Sequence, residues 1–351
     1  MHDRKPSSLA SRRGVVAGLS MAGATAALAS ADRVLGQEGR SGMKHSQIDV
    51  GGAELHVVEK GQGRPVLFCH GFPAIWSVWR PQMDAVAAAG WRAIAPDMRG
   101  YGGSSAPPAA DLYTPLDTVG DLVGLLDRLE IPSAVVVGHD FGASVAWNAA
   151  MMRPDRFTAV FGMSVAYRAP GGPGFLDQLR HAGKDDFYMF AQMRPEADRE
   201  WADAASTIPG VYYWTSGEAP EATRWNPFDK ARGLLRPAPE PIRTMDPAYI
   251  REATEAFERT GFHGGLNYYR AIDTFAARSR AYAGAIIRQP SYFLTGAADG
   301  LNSVTRATEA SLRPALPGLR GLRSIEGVGH WPQLEAAGAV NEALLSFLAG
   351  L

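Results

Sequence analysis

The stretch Ala134-Val135-Val136-Val137-Gly138-His139-Asp140-Phe141-Gly142-Ala143 runs a short β-branched segment into a glycine-flanked turn, and an alanine-rich stretch then continues to Met152. A short apolar run closed by a glycine turn reads as a buried strand, and the alanine-rich continuation reads as a helix. Gly138-x-Asp140-x-Gly142 therefore sits where a strand turns into a helix. This is the layout of a nucleophile elbow, whose turn is too tight for side chains beside the reactive residue. The central residue here is Asp rather than the more common Ser. Taken alone, the motif also fits a loop aspartate that caps the next helix. Its weight depends on what the rest of the chain supplies.

Outward from this turn the same alternation repeats. Upstream, Val66-Leu67-Phe68-Cys69 ends in His70-Gly71-Phe72-Pro73, and Arg92-Ala93-Ile94-Ala95 ends in Pro96-Asp97 and a turn with Gly100, Gly102 and Gly103. Two short strands are expected around Gly51-Gly52 within residues 47–59. Val119, Leu122, Leu125, Leu126 and Leu129 recur at helical spacing within 116–130. Thr158 to Val165 reads as another strand. Strand, turn, helix and strand again predict an α/β fold with a mostly parallel sheet flanked by helices.

From about 168 to 277 the alternation stops. The segment is rich in Pro, Trp, Tyr, Phe and Met and reads as helical, with one clear start at Asp246-Pro247. Strands then resume at Ser291 to Leu294 and Gly321 to Ile325, and an apolar helix from Val340 to Leu348 closes the chain. The expected organisation is a core built from 46–167 and 278–351, with 168–277 inserted as a helical lid.

An elbow nucleophile needs a base from a loop at the same sheet edge. His330, in Gly327-Val328-Gly329-His330-Trp331, follows the last expected strand. Asp299, in Thr295-Gly296-Ala297-Ala298-Asp299-Gly300, follows the strand before it. The chain order is nucleophile, acid, base, as in the α/β-hydrolases. His70-Gly71-Phe72-Pro73 follows an early strand, which is the place of the second oxyanion-hole loop in that fold.

Across residues 46–351 the chain resembles the epoxide hydrolases of the α/β-hydrolase superfamily. The resemblance rests on His70-Gly71-Phe72-Pro73-Ala74-Ile75-Trp76, Asp97-Met98-Arg99-Gly100-Tyr101-Gly102, His139-Asp140-Phe141-Gly142-Ala143, Gly264-Gly265-Leu266-Asn267-Tyr268-Tyr269-Arg270 and Gly329-His330-Trp331. It implies Asp140 as nucleophile, His330 as base and Asp299 as the acid that orients it. It also implies backbone amides of Phe72 and Phe141 as the oxyanion hole. Tyr269 holds the place of the lid tyrosine that donates to the epoxide oxygen. The family's second lid tyrosine falls in Asp185-Asp186-Phe187-Tyr188-Met189. Ungapped reading gives that place to Phe187, which has no hydroxyl. Tyr188 serves instead if the lid helix starts one residue differently. Trp76, Phe187 and Trp331 are expected to line the substrate.

An Asp nucleophile suits attack at a saturated carbon, because a carboxylate needs no prior deprotonation and leaves an ester on the enzyme. The reaction implied is opening of an epoxide to a vicinal diol, with water as second substrate. The alternative is a haloalkane or haloacid dehalogenase, which uses the same nucleophile. A halide, however, is served by N–H donors, and the positions that would carry them hold Phe72 and Phe141. No metal or organic cofactor is implied.

The aromatic lid, with Trp201, Tyr212, Tyr213, Trp214 and Trp225, suits an apolar epoxide, while the overall composition is ordinary for a globular protein. The 351 residues are 46% hydrophobic and 20% charged, with a formal net charge of −1. That balance speaks against a nucleic-acid partner or an anionic membrane surface. Cys69 is the only cysteine, so no intramolecular disulfide can form. The first ~30 residues read differently. Arg12-Arg13 precede a mildly apolar run from Gly14 to Leu28, followed by Ala27-Leu28-Ala29 and Ala29-Ser30-Ala31. Residues 1–31 are expected to be a twin-arginine export signal, and 32–45 a linker. The run is too short and too weakly apolar for a spanning helix, so no stable membrane insertion is expected. Oligomeric state leaves no mark in the sequence.

Overall fold

The computed structural model describes residues 37–38, 42–304 and 306–351. The described strands make one sheet in the order β1-β2-β3-β5-β4-β6-β7-β8-β9. β1 (Gln37–Glu38), β2 (Lys44–Asp49) and β3 (Glu54–Lys60) pair antiparallel, and β3 is also antiparallel to β5. From β5 (Trp91–Pro96) through β4 (Arg64–Cys69), β6 (Ala134–His139), β7 (Phe157–Met163), β8 (Ser291–Gly296) and β9 (Leu319–Ile325) all pairing is parallel. Every residue of β6 is buried, as a central parallel strand covered on both faces requires.

The core helices before the insertion are α1 (Arg80–Ala88), α2 (Pro115–Arg128) and α3 (Phe141–Met152). Thr114 and Asp117 form a capping box at the start of α2, with Pro115 in the first turn. Between β7 and β8 the chain is largely helical, broken over 216–246 by an irregular stretch with one 3-10 turn at Lys230–Arg232. The insertion carries α4 (Phe175–His181), α5 (Tyr188–Met193), α6 (Ala197–Trp201), α7 (Ala204–Thr215), α8 (Pro247–Thr260), α9 (His263–Arg270) and α10 (Ile272–Arg278). Asp246 caps α8 by accepting from the Ala248 amide at 2.8 Å. After the insertion come α11 (Glu309–Leu312), α12 (Pro332–Glu335) and α13 (Ala337–Ala349).

The export segment, residues 1–31, lies outside the described residues. The expected linker is not wholly a connector, because Gln37–Glu38 pairs with Lys44–His45 and extends the antiparallel edge. A two-residue strand is too short for its pattern to register in sequence.

The chain lays β5 on one side of β4 and then crosses to β6 on the other. Where strand order reverses like this, a crevice opens at the carboxyl ends of the strands. The loop after β4 and the turn after β6 meet there.

Candidate active site

Asp140 follows β6 and immediately precedes α3. Its φ of 56° and ψ of −123° lie where a non-glycine residue is strained, so the surroundings must hold it there. The turn is packed against β4. A Cβ on Gly142 would stand 2.0 Å from the Cys69 carbonyl oxygen, so only glycine lets α3 start this close to the neighbouring strand. Asp140 Oδ1 accepts the Phe72 backbone N–H at 2.9 Å. The Phe141 N–H opens α3 and, as a first-turn amide, has no partner within the helix. His70 shapes the loop that presents Phe72. Its Nε2 accepts the Met98 amide at 3.0 Å, which leaves the proton on Nδ1 for the Gly71 carbonyl, also at 3.0 Å. Burial lowers the His70 pKa and keeps this imidazole neutral.

His330 follows β9 and stands over Asp140. Its Nδ1 donates to Asp299 Oδ2 at 2.9 Å, and its Nε2 lies 3.6 Å from Asp140 Oδ2. Asp299 is fixed in turn by the Leu301 amide on its Oδ1 at 2.9 Å. Burial alone would lower the His330 pKa. The flanking carboxylates of Asp299 and Asp140 outweigh burial and raise it to about 10. Burial likewise pushes the Asp140 carboxyl up, and the adjacent His330 outweighs it, so the carboxyl falls below its ordinary range. The resting site is therefore an ion pair.

Several groups that the sequence did not announce hold the His330 loop. The loop's carbonyl accepts from His139 Nε2 at 2.6 Å and from Ser164 Oγ at 3.0 Å. Burial, aided by the His330 charge, lowers the His139 pKa to about 3, so this ring stays neutral. Glu335 accepts three amides: Gly329 at 2.9 Å, Trp331 at 3.0 Å and Gly217 at 2.7 Å. The first two flank His330, and the third belongs to the insertion just after α7. Burial raises the Glu335 pKa, while the three amides pull it the other way. The His330 amide also donates to the Thr215 carbonyl at 2.8 Å, and Trp331 Nε1 to Thr215 Oγ1 at 2.7 Å. No spacing rule links Glu335 or Thr215 to His330; only the fold does.

Tyr269 is carried by α9. Tyr268 Oη donates to the Arg99 carbonyl at 3.1 Å, which docks this helix on the loop after β5. A Cβ on Gly264 would lie 2.3 Å from the Gly100 carbonyl oxygen, so the glycine permits that docking. The Tyr269 ring stands edge-on to Phe141 at 4.7 Å and to Phe72 at 5.4 Å. Tyr188 begins α5 and lies 6.1 Å from Tyr269, ring to ring. Asp140, His330, Tyr269, Tyr188 and Trp331 all line one narrow cavity. Burial, the neighbouring phenol and the Asp140 charge raise the Tyr269 pKa well above the ordinary phenol range. Burial and the charges of Asp140 and Asp299 do the same for Tyr188. Both phenols keep their protons and can act as donors.

Two expected lining residues are elsewhere. Phe187 packs in a lid cluster with Phe175, Phe190 and Phe228 and does not line the cavities at Asp140. Because α5 begins at Tyr188, whose amide is held by the Pro227 carbonyl at 2.8 Å, the phenol of Tyr188 faces inward instead. Trp76 is buried against His45 and His56 with Arg80 over its ring, on the antiparallel side of the sheet. Its apolar surface is used in that packing. Among the described residues no group of His, Cys, Asp and Glu is arranged to hold a metal ion. No described helix is long and apolar enough to cross a membrane.

The arrangement has clear relatives. The alpha/beta hydrolase fold family matches residues 64–337. An epoxide hydrolase of Caballeronia sordidicola is 55% identical over 88% of this chain and 94% of its own length. Epoxide hydrolase A of Mycobacterium tuberculosis is 39% identical over 87% of this chain and 97% of its own. The solved epoxide hydrolase from an endophytic Streptomyces superposes with a TM-score of 0.82 at 36% identity, covering 88% of this chain and 96% of that one. By fold and by sequence, this chain belongs to the epoxide hydrolase family of the α/β-hydrolase fold.

Proposed function

We propose that the protein hydrolyses epoxides to vicinal diols through an ester formed on Asp140. The observation that carries this reading is the division of labour between the two Asp140 oxygens. Oδ1 is held by the Phe72 amide, while Oδ2 faces His330 at 3.6 Å, beyond hydrogen-bond range. Oδ2 is free to attack a ring carbon, and the C–O bond of the ring breaks as the new bond forms. The departing oxygen takes a proton from Tyr269, with Tyr188 as second donor. Oδ1 becomes the ester carbonyl oxygen and is already in the oxyanion hole.

Esterification also converts His330 into a base. The anionic Asp140 is one of the two charges that hold His330 protonated. Once Asp140 is an ester that charge is gone, the imidazole pKa falls, and its proton restores the tyrosine that ring opening left ionised. Neutral His330 takes a proton from water, whose oxygen adds to the carboxyl carbon, and the charge that forms on Oδ1 meets the amides of Phe72 and Phe141. Collapse expels the diol oxygen, which takes the proton from His330. The carboxylic acid left at Asp140 gives its proton to His330, which restores the ion pair, and the cycle closes. Asp299 stabilises the imidazolium and fixes its tautomer.

A dehalogenase reading is less well served. A halide is stabilised by several N–H donors, and of the three indoles at the narrow cavity Trp201 is bonded to Gln192 and Trp331 to Thr215, which leaves the Trp225 N–H alone without a partner. The test is a panel of epoxides and haloalkanes assayed for diol and for free halide. Diol from epoxides without halide release supports the proposal, and halide release with no diol rejects it. Arg12-Arg13 and the small-residue sites at 27–31 support a separate proposal, that the chain is exported by the twin-arginine route.

A further inference from the structure

Asp140 is approached from two sides of very different size. On the His330 side the cavity walled by His330, Tyr269, Trp225 and Leu234 has a free volume of about 20 Å³. One water needs ~10–15 Å³ measured this way, so this arm holds little beyond the hydrolytic water. On the Phe141 side, a cavity walled by Phe141, Val145, Met189, Ile272 and Phe275 has a free volume of about 190 Å³ and a largely apolar lining. Asp140, Tyr188 and Leu301 line both, so the epoxide ring, pinned between carboxylate and phenol, sits at their junction.

A trans-disubstituted epoxide sends groups in opposite directions from its ring, whereas a terminal epoxide sends one. Any group in the narrow arm would also displace the water that His330 must activate. Building on the epoxide reading above, we infer that this enzyme takes terminal epoxides with a single apolar substituent seated on the Phe141 side, and that Trp225 is the residue that excludes a second substituent.

The Trp225 backbone is hydrogen-bonded and its indole is held by packing alone, its Nε1–H having no partner. Its amide donates to the Trp214 carbonyl at 2.9 Å, and the Tyr188 ring stands edge-on to it at 5.0 Å. A Cβ on Gly300 would lie 2.7 Å from the indole, so the residue after Asp299 is kept bare to seat it. Trp225, Leu234 and Tyr188 line both the narrow arm and an outer groove of the lid. The barrier between the arm and the outside is thus one side chain thick. Removing the indole joins the arm to the groove and makes room for a second substituent.

The test measures kcat/KM for styrene oxide, propylene oxide and trans-stilbene oxide. The wild type is expected to favour styrene oxide over trans-stilbene oxide by about 100-fold or more, the scale on which an ill-fitting apolar group is rejected. Trp225→Ala should raise the trans-stilbene to styrene ratio at least about tenfold. Leu234→Ala opens the same wall and replaces it if Trp225→Ala does not fold. Ile272→Trp, which fills the wide arm, should lower the styrene to propylene ratio by about tenfold. Comparable wild-type rates on styrene and trans-stilbene oxides overturn the inference. So does an opened, folded variant whose ratio does not move. Those results leave epoxide hydrolysis standing, whereas diol from none of the three epoxides brings down both readings.

Discussion

Asp140 and His330 set each other's charge, and that coupling can be measured. The His330 pKa is raised because two carboxylates favour its protonated form against burial. Asp140→Asn removes one of them and mimics the neutral ester, so the imidazole pKa should fall, as read by NMR titration of the His330 ring. An unchanged or higher value would mean that Asp140 does not control the base. Tyr269→Phe should slow alkylation of the enzyme by about 10²–10⁴-fold in single-turnover experiments, because the opening oxygen loses an acid. Tyr188→Phe should have a comparable effect, since its hydroxyl faces the same cavity. Alkylation at the wild-type rate by Tyr269→Phe would remove that residue from the mechanism. Asp140, Asp299 and His330 were legible in sequence because each follows a recognisable strand, and strand order fixes which loops meet. The lid tyrosines were less legible. A helix that begins one residue later turns Phe187 into packing and Tyr188 into the inward-facing phenol, and no sequence pattern fixes that start.

The loop carrying His330 is tied to the core and to the insertion by one carboxylate. Glu335, at the end of α12, accepts amides on both sides of His330 and one just beyond α7. Glu335→Gln turns an NH₂ group toward at least one of these donors. The predicted effect is a loss of about tenfold in ester hydrolysis, the size of one hydrogen bond to a charged group, with the alkylation rate kept. Equal losses in both steps would indicate general destabilisation instead. The regular elements themselves were largely readable, since β6 and α2 follow plain apolar patterns and α8 announces its start. The short elements α1 and α12 were not. Their contribution is to hold a loop or cover a strand, and neither task leaves a long periodic signature.

At the scale of the whole molecule, an α/β core is interrupted between β7 and β8 by helices that supply the phenols. The core carries Asp140, His330 and the Phe72 and Phe141 amides. This division was visible in sequence as the point where strand–helix alternation stops and then resumes. The expected edge of the core was not, because a two-residue strand at Gln37–Glu38 carries too little pattern. Ahead of the core, replacing Arg12 and Arg13 by lysine should retain the precursor inside cells that have a working twin-arginine pathway, as judged by fractionation. Unchanged export would reject the proposed route.

The central claim is that Asp140 forms an ester which only His330-activated water can clear. Intact-mass spectrometry of His330→Gln after exposure to a substrate epoxide tests it most directly. The account predicts a single adduct that gains the whole mass of the epoxide, because ring opening expels nothing, and that maps to the peptide containing Asp140. A variant that shows no adduct with any epoxide the wild type consumes would contradict it.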